Sequence, residues 1–401
     1  MRIGMMVDMY KPHISGITNH VALTKQVLEG LGHKVFVFTF GDQAYADDEL
    51  YVVRSPGMPL NVLDTGFHLS FRYSSSAQKK IQSMDLVHVH HLYLSGPLTL
   101  RYCKPRGIPV VFTNHTRYDL YAQYYLPHVP DFISTTFLQS YLPTFCQQCD
   151  LVIAPSEGIA RVMQELGVAS PIKVIPNGID LTPYKHPSLH LSREDVGLPK
   201  EATVLMYVGR LSPEKNLPFL LRAFFGVANA RPEVVLVLVG DGPERDNLHD
   251  QVKRSGLEEK VKFLGEVDYA SIPGHLALAD IFVTASQTEV HPLSLIEAMA
   301  CGLPPLGIAS PGIEDTIVDD ENGFLSPPDM AAFTAKLMRL VMEPETRRRL
   351  AEKARASVKT YDIHRIVPLL LAEYERLTKE SVRRRLGWSG LQQRLRNLWW
   401  S

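Results

Sequence analysis

The chain has 401 residues, 45% hydrophobic and 21% charged, with 42 Lys and Arg against 43 Asp and Glu for a formal net charge of −1. This is the make-up of a soluble globular protein with chain enough for two or three domains; it excludes long disorder and collagen-like repeats, and the even charge balance argues against a nucleic-acid binder. Only 4 Cys are present, too few for a disulfide scaffold of this size, which favours a reducing compartment.

In chain order, short apolar strands alternate with amphipathic helices, the rhythm of parallel α/β sheets. The first half predicts strands at Arg2–Asp8, Lys34–Phe40, Leu86–His90, Pro109–Asn114 and Leu151–Ala154. The second half predicts Thr203–Gly209, Val234–Gly240, Val261–Leu264, Ile281–Ala285 and Leu306–Ala309. Several are continuous apolar runs, as expected of central strands covered on both faces. Lys173–Asp180, with Asn177-Gly178 as a turn signal, and the polar stretch Leu181–Lys200 read as a hinge between two doubly wound domains. The expected division is 1–176, 177–362 and a tail 363–401. No run of about 18 apolar residues predicts a membrane span, and the N-terminus lacks the layout of a signal peptide, so a cytoplasmic protein is expected.

In open α/β sheets ligands bind beyond the carboxyl ends of the strands, and the unusual residues fall there. Lys11–His20 follows the first strand and places Gly16 at the mouth of a helix, where it either admits an anion or makes a tight turn. There is no G-x-G-x-x-G dinucleotide fingerprint. His88, His90 and His91 close a strand; a metal site is conceivable, but with no carboxylate at a fitting spacing they are expected to line the cleft or the core. Cys146 and Cys149 form a C-x-x-C that reads as structural, as do Cys103 and Cys301.

Val208–Asn216 follows a strong strand and sets Arg210 and Lys215 on one short loop, near enough to converge on a diphosphate, although two basic loop residues are commonly just solvated surface. Val239–Pro243 is a second, weaker Gly-rich strand end. The most informative stretch is Ser286–Gly302. Pro292 suits a first helical turn and Gly302 a C-terminal cap, so a helix is predicted over about Pro292–Cys301. Its free N–H groups near Leu293 and Ser294 then lie between Glu289 and Glu297, an arrangement suited to a nucleotide sugar. Glu297 could equally be the exposed face of that short helix.

Glu289 and Glu297 with seven residues between them, followed by Ala-Met-Ala-Cys-Gly-Leu-Pro304, resemble the E-x7-E segment of the retaining family 4 glycosyltransferases of GT-B fold. The resemblance covers nearly the whole chain through the Gly16 loop, Leu31–Val35, Thr113–Thr116, Val174–Asp180, Val208–Arg210 with Lys215, and Val239–Pro243. It implies two doubly wound Rossmann-like domains facing across a cleft: an N-terminal acceptor domain, a C-terminal nucleotide-sugar domain, and a C-terminal helix returning to the first. It further implies Arg210 and Lys215 on the donor diphosphate, Gly16 near its distal phosphate, and Gly209 among the donor-binding residues. Glu289 would hold the donor sugar and Glu297 the ribose, with backbone near Leu264 on the base. His115 would stand against the sugar, with Tyr10 on the acceptor side. Two departures stand out. Ser15-Gly16 replaces the family's usual Gly pair, and Glu289-Val-His-Pro292 replaces Glu-Gly/Pro-Phe-Gly, so that His291 is expected to reach the donor together with Pro292, Leu293 and Ser294. Within the family, Thr113–Tyr121 and Tyr124–Pro130 look most like the diacylglycerol glucosyltransferases, with phosphatidylinositol mannosyltransferases as relatives.

The expected reaction is retaining transfer of a hexose, glucose from UDP-glucose, to a membrane lipid such as diacylglycerol. No Asp-x-Asp occurs in the sequence, so no metal and no cofactor are expected, the positive field coming from Arg210, Lys215 and a helix N-terminus. Alternatives are transfer to a soluble sugar or sugar phosphate, a nucleotide-sugar epimerase, and a non-catalytic sugar-nucleotide sensor. All 3 Trp lie in the tail at Trp388, Trp399 and Trp400, among Arg383, Arg384, Arg385, Arg394 and Arg396. This is the make-up of an interfacial helix, so the tail is expected either to contact an anionic membrane, on the inner face of the cell membrane, or to dock on the N-terminal domain.

Overall fold

The computed structural model of the chain describes residues 1–41, 43–59, 68–120 and 131–399, with backbone only at 131–135 and 385–399. Two parallel sheets carry the chain. The first contains β1 (Arg2–Met6), β2 (Lys34–Phe40), β3 (Val52–Ser55), β6 (Leu86–Val89), β7 (Val110–Thr113), β8 (Leu151–Ala154) and β9 (Ile172–Val174), in the order β3-β2-β1-β6-β7-β8-β9. A small antiparallel pair, β4 (Met58–Pro59) and β5 (His68–Leu69), lies apart from it. The second sheet contains β10 (Thr203–Val208), β11 (Val234–Val239), β12 (Val261–Gly265), β13 (Ile281–Thr284), β14 (Pro305–Ile308) and β15 (Phe324–Ser326), in the order β12-β11-β10-β13-β14-β15. In each sheet the strand order reverses beside its first strand, between β1 and β6 and between β10 and β13. Such a reversal opens a crevice at the carboxyl ends of the strands.

Successive side chains of a strand point to opposite faces, and this divides each apolar run between two cores. Val204 and Met206 enter one cluster with Val235, Val237 and Val239. Leu205 and Tyr207 enter the other with Val234, Leu236 and Leu238. Phe36, Phe38 and Phe40 of β2 likewise pack on one side of the first sheet, and Val35 and Val37 on the other. Burial on both faces is what makes these segments read as unbroken hydrophobic stretches.

All ten predicted strands are present within a residue or two of their expected ends. Of the other five among the described residues, β3, β9 and β15 lie at the edges of the parallel sheets and β4 and β5 form the small antiparallel pair. The Asn177-Gly178 turn is not formed: neither residue is at positive φ, and Ile179 instead bridges in parallel to Asp362. The amide of Ile179 donates to Tyr361 O and that of Ile363 to Ile179 O, each at 2.9 Å. Gly178 is small for this reason, since a Cβ there would lie 2.9 Å from Ile363 Cα. The two crossings between the lobes are thus zipped together.

The second crossing leads into the long helix Ile363–Trp399. Ile363, Ile366, Val367, Leu370, Tyr374 and Leu377 of this helix pack with Ile3, Met5 and Val35 of the first sheet. The expected return to the first lobe is therefore present over this stretch. The side chains of Trp388 and Trp399, and all of Trp400, lie outside the described residues. Among the described residues no helix is long and apolar enough to cross a membrane.

The lobes also meet directly. The amide of Gly158 donates to Asp315 Oδ2 at 2.6 Å, and Val290 of the second lobe packs into a first-lobe core cluster.

Candidate active site

Beyond β13 the chain runs through Glu289 into the helix Leu293–Cys301, with Pro292 at its N-cap position and Gly302 closing it in the left-handed conformation at φ 83°. No side chain caps its N-terminus, so the first-turn N–H groups of Leu293 and Ser294 are open to an anion. Glu289 Oε1 accepts a 2.7 Å hydrogen bond from Lys215 Nζ, which arrives on the turn Pro213–Lys215 after β10. Burial works to neutralise both groups, but each charge more than offsets this for the other. The Glu289 carboxyl is held below its ordinary range and the Lys215 ammonium above its own. The pair is ionised, and Glu289 stands three residues before Pro292, the N-cap of that helix.

Arg210 lies on the same loop. Its carbonyl is fixed by Tyr207 Oη, which donates to it at 3.0 Å. Next to it, Gly209 is at φ 153°, and a Cβ there would lie 2.7 Å from the Tyr207 hydroxyl oxygen. The charge of Arg210 is felt in the other lobe: burial lowers the basicity of His13, and the charges of Arg210 and His91 lower it further. His13 precedes Gly16, the exposed first residue of the helix Gly16–Gly30. A Cβ on Gly16 would meet nothing, so there is space beside it, while Ser15 Oγ caps the helix by accepting from the Thr18 amide at 3.1 Å. The cationic loop of one lobe therefore faces the glycine loop of the other.

Glu297 is not on an exposed face. It is 3% exposed, and Tyr269 Oη donates to its Oε1 at 2.8 Å. Burial pushes its carboxyl up to about 7, against hydrogen bonds from Tyr269 and Tyr184 that favour the ionised form. A carboxylate keeps further lone pairs for other hydroxyls. Leu264 lies on β12, partly buried against the same core cluster as Tyr184 and Tyr269.

The first-lobe side is built of histidines. His115 follows β7, and its Nε2 lies 2.9 Å from His90 Nδ1, just beyond β6. His20, on the helix Gly16–Gly30, tilts against His115 with ring centroids 5.0 Å apart. Burial lowers the basicity of all three, so they are neutral. His88 belongs to the core, between Tyr374 Oη at 2.5 Å and Thr113 Oγ1 at 2.7 Å. The ring of His291 is buried edge-on to Tyr361, its carbonyl accepts from Asn177 Nδ2 at 3.2 Å, and its Nδ1 has no partner. Tyr10, expected on the acceptor side, is 3% exposed and its hydroxyl donates to Glu49 Oε2 at 3.0 Å. That bond uses the one O–H donor of its side chain and leaves the oxygen able to accept.

Tyr184 and Tyr269 carry no sequence signal for this site, and Asn177 and His20 lie in stretches read for a turn and for the Gly16 loop, not for these contacts. Tyr184 and Tyr269 come from segments without a motif, and all four are brought to their partners by packing rather than by local pattern. The segment Tyr124–Pro130 lies outside the described residues. Cys146 is buried, with its thiol pushed up to about 12, and Cys149 Sγ donates to Phe145 O, so both are structural.

Two family models match the chain: Glycosyltransferase Family 4 over residues 14–183 and Glycosyl transferases group 1 over residues 190–357. They meet at the boundary between the sheets and together cover most of the sequence. The chain is a GT-B glycosyltransferase. Alpha-monoglucosyldiacylglycerol synthase of Streptococcus pneumoniae is 28% identical to this glycosyltransferase over 353 residues, 86% of the chain and 79% of the relative. The enzyme of that name from Acholeplasma laidlawii is 28% identical over 379 residues, 90% and 93% of the two chains. Among solved structures, Anabaena HepE in complex with UDP and glucose superposes with a TM-score of 0.75 at 22% identity, covering 94% of this chain and all of that one.

Proposed function

We propose that this glycosyltransferase moves a hexose, glucose from UDP-glucose, to the hydroxyl of a membrane lipid of the diacylglycerol type, with retention at the anomeric carbon and without a metal. The observation that carries the reading is the ionised Lys215–Glu289 pair set before the uncapped helix at Leu293, with Arg210 facing the first lobe. Breaking a glycosyl–diphosphate bond develops negative charge on the leaving oxygens, and donors aimed at that charge are the largest lever available. Arg210, Lys215 and the N–H groups of Leu293 and Ser294 supply them. Glu289 takes sugar hydroxyls, Glu297 the ribose, and His115 the far side of the sugar.

In the retaining step the acceptor oxygen bonds to the anomeric carbon on the face the diphosphate leaves. The carbon–oxygen bond breaks with its electron pair going to the departing phosphate oxygen, and that oxygen takes the acceptor's proton. The two relatives named for monoglucosyldiacylglycerol synthesis support the lipid acceptor. HepE, solved with UDP and glucose, supports the donor. Ser381 is buried, its hydroxyl donates to Gly107 O at 2.6 Å, and Arg384 reaches Asp150 at 3.5 Å, so within the expected stretch 381–401 the proposed membrane contact lies beyond Arg384 and rests on the Trp and Arg content of the tail.

The test is a panel of nucleotide sugars against extracted lipids and soluble sugars, read by mass spectrometry with and without chelator, and by NMR of the anomeric proton. An α-glucosyl lipid formed with chelator present is expected. Product only on soluble sugars, a β-linkage, or loss of all turnover to chelator would overturn the corresponding part.

A further inference from the structure

We propose that His20, His90 and His115 form a binding site for a borderline transition-metal ion such as Zn²⁺, and that the bound ion inhibits transfer by withdrawing His115 from the sugar. One ring nitrogen from each of the three lies within 4.8 Å of the others. The closest pair, His90 Nδ1 and His115 Nε2, is 2.9 Å apart. A tetrahedral ion with Zn–N bonds of about 2.0–2.1 Å places its ligand nitrogens roughly 3.4 Å apart. The near pair must therefore open slightly and any wider spacing close. The three residues come from separate elements packed together in the first lobe: the helix Gly16–Gly30 and the segments following β6 and β7. The site is held by the core rather than by a mobile loop.

Two features point to a ligand. His20 is 7% exposed and its Nδ1 has no hydrogen-bond partner, which is costly for a buried polar atom. Between His90 and His115 two ring nitrogens share one proton, where an ion would engage both lone pairs. Burial keeps all three rings neutral at pH 7, so binding needs little displacement of protons. The donor set decides the class of ion. Three imidazoles suit Zn²⁺, Cu²⁺ or Ni²⁺, whereas Mg²⁺ and Ca²⁺ require oxygen ligands. Three protein ligands leave a fourth position for water. The site thus differs in kind from a divalent ion bridging a sugar diphosphate.

The inhibitory half rests on the function proposed above; the binding half does not. The test uses the full chain, reduced and stripped with chelator, titrated with Co²⁺ as the probe. We expect one equivalent to give the visible absorption of tetrahedral cobalt, displaced by Zn²⁺. His20→Ala and His90→Ala should each weaken Zn²⁺ binding at least tenfold. His20→Phe keeps an aromatic ring without nitrogens and serves if the alanine variants fail to fold. A Cys146→Ser, Cys149→Ser protein should bind as the parent does. Absence of the band, binding undiminished in the His20 and His90 variants, or binding lost with the two cysteines overturns the site. If the site stands, Zn²⁺ should raise the apparent KM for the nucleotide sugar, and at least tenfold more Zn²⁺ should be needed in His20→Phe. Zn²⁺ bound at these histidines with donor kinetics unchanged overturns the inhibitory half alone.

Discussion

At the scale of single residues, the site is governed by which charges survive burial. Lys215 and Glu289 keep theirs because each stabilises the other at 2.7 Å, whereas Glu297, shielded among tyrosines, titrates at about 7. Removing a donor aimed at developing charge costs about 10²–10³ in kcat. Lys215→Ala and Arg210→Ala should each lose activity on that order; steady-state kinetics on the preferred donor reads this. Glu297 makes a separate prediction about stability. Its folded-state pKa of about 7 is above the ordinary 4.5, so between these values the folded protein holds a proton that the unfolded chain has released. Stability then falls as pH rises through that window, by on the order of 3 kcal/mol, and Glu297→Gln should abolish this slope. Urea midpoints across the window for the two proteins check it. The spacing of Glu289 and Glu297 is plain in the sequence. Their opposite titration is not, because it depends on Lys215, Tyr184 and Tyr269, which lie far away along the chain.

Among the elements, legibility followed burial. Strands covered on both faces, such as Val234–Val239, are unbroken apolar runs. The edge strands Val52–Ser55 and Ile172–Val174 are only partly buried and carry no such run, so nothing in their composition separates them from loop. The helix Leu293–Cys301 was legible at both ends because Pro and Gly act locally on the backbone. Asn177-Gly178 misled for the converse reason: Gly there answers a close approach rather than a turn. Gly178→Ala should lower stability by about 1–3 kcal/mol through overpacking, since its Cβ would lie 2.8 Å from Ile363 Cδ1 and 2.9 Å from Ile363 Cα. The helix Ile363–Trp399 offers a second test. Tyr374 is fully buried on the first lobe, so Tyr374→Ala should cost about 3–5 kcal/mol. Chemical denaturation measures both.

For the molecule as a whole, function depends on two lobes sharing one cleft. The cationic loop of the second faces the glycine loop of the first, and the crossings that join them are hydrogen-bonded to each other. Deleting residues 387–401 should abolish sedimentation with anionic liposomes while leaving hydrolysis or transfer of the donor in detergent unchanged; liposome pelleting and a donor-turnover assay distinguish membrane contact from a role in folding. Order along the chain was enough to reveal two doubly wound halves, the acidic pair with its helix, and the basic loop, because hydrophobic period and turn chemistry act over a few residues. Folding alone brought His20 beside His90 and His115, buried Glu297 under two phenols, and joined Lys215 to Glu289. Those groups lie tens of residues apart or more, and their charges and free lone pairs are set by neighbours that no local pattern specifies.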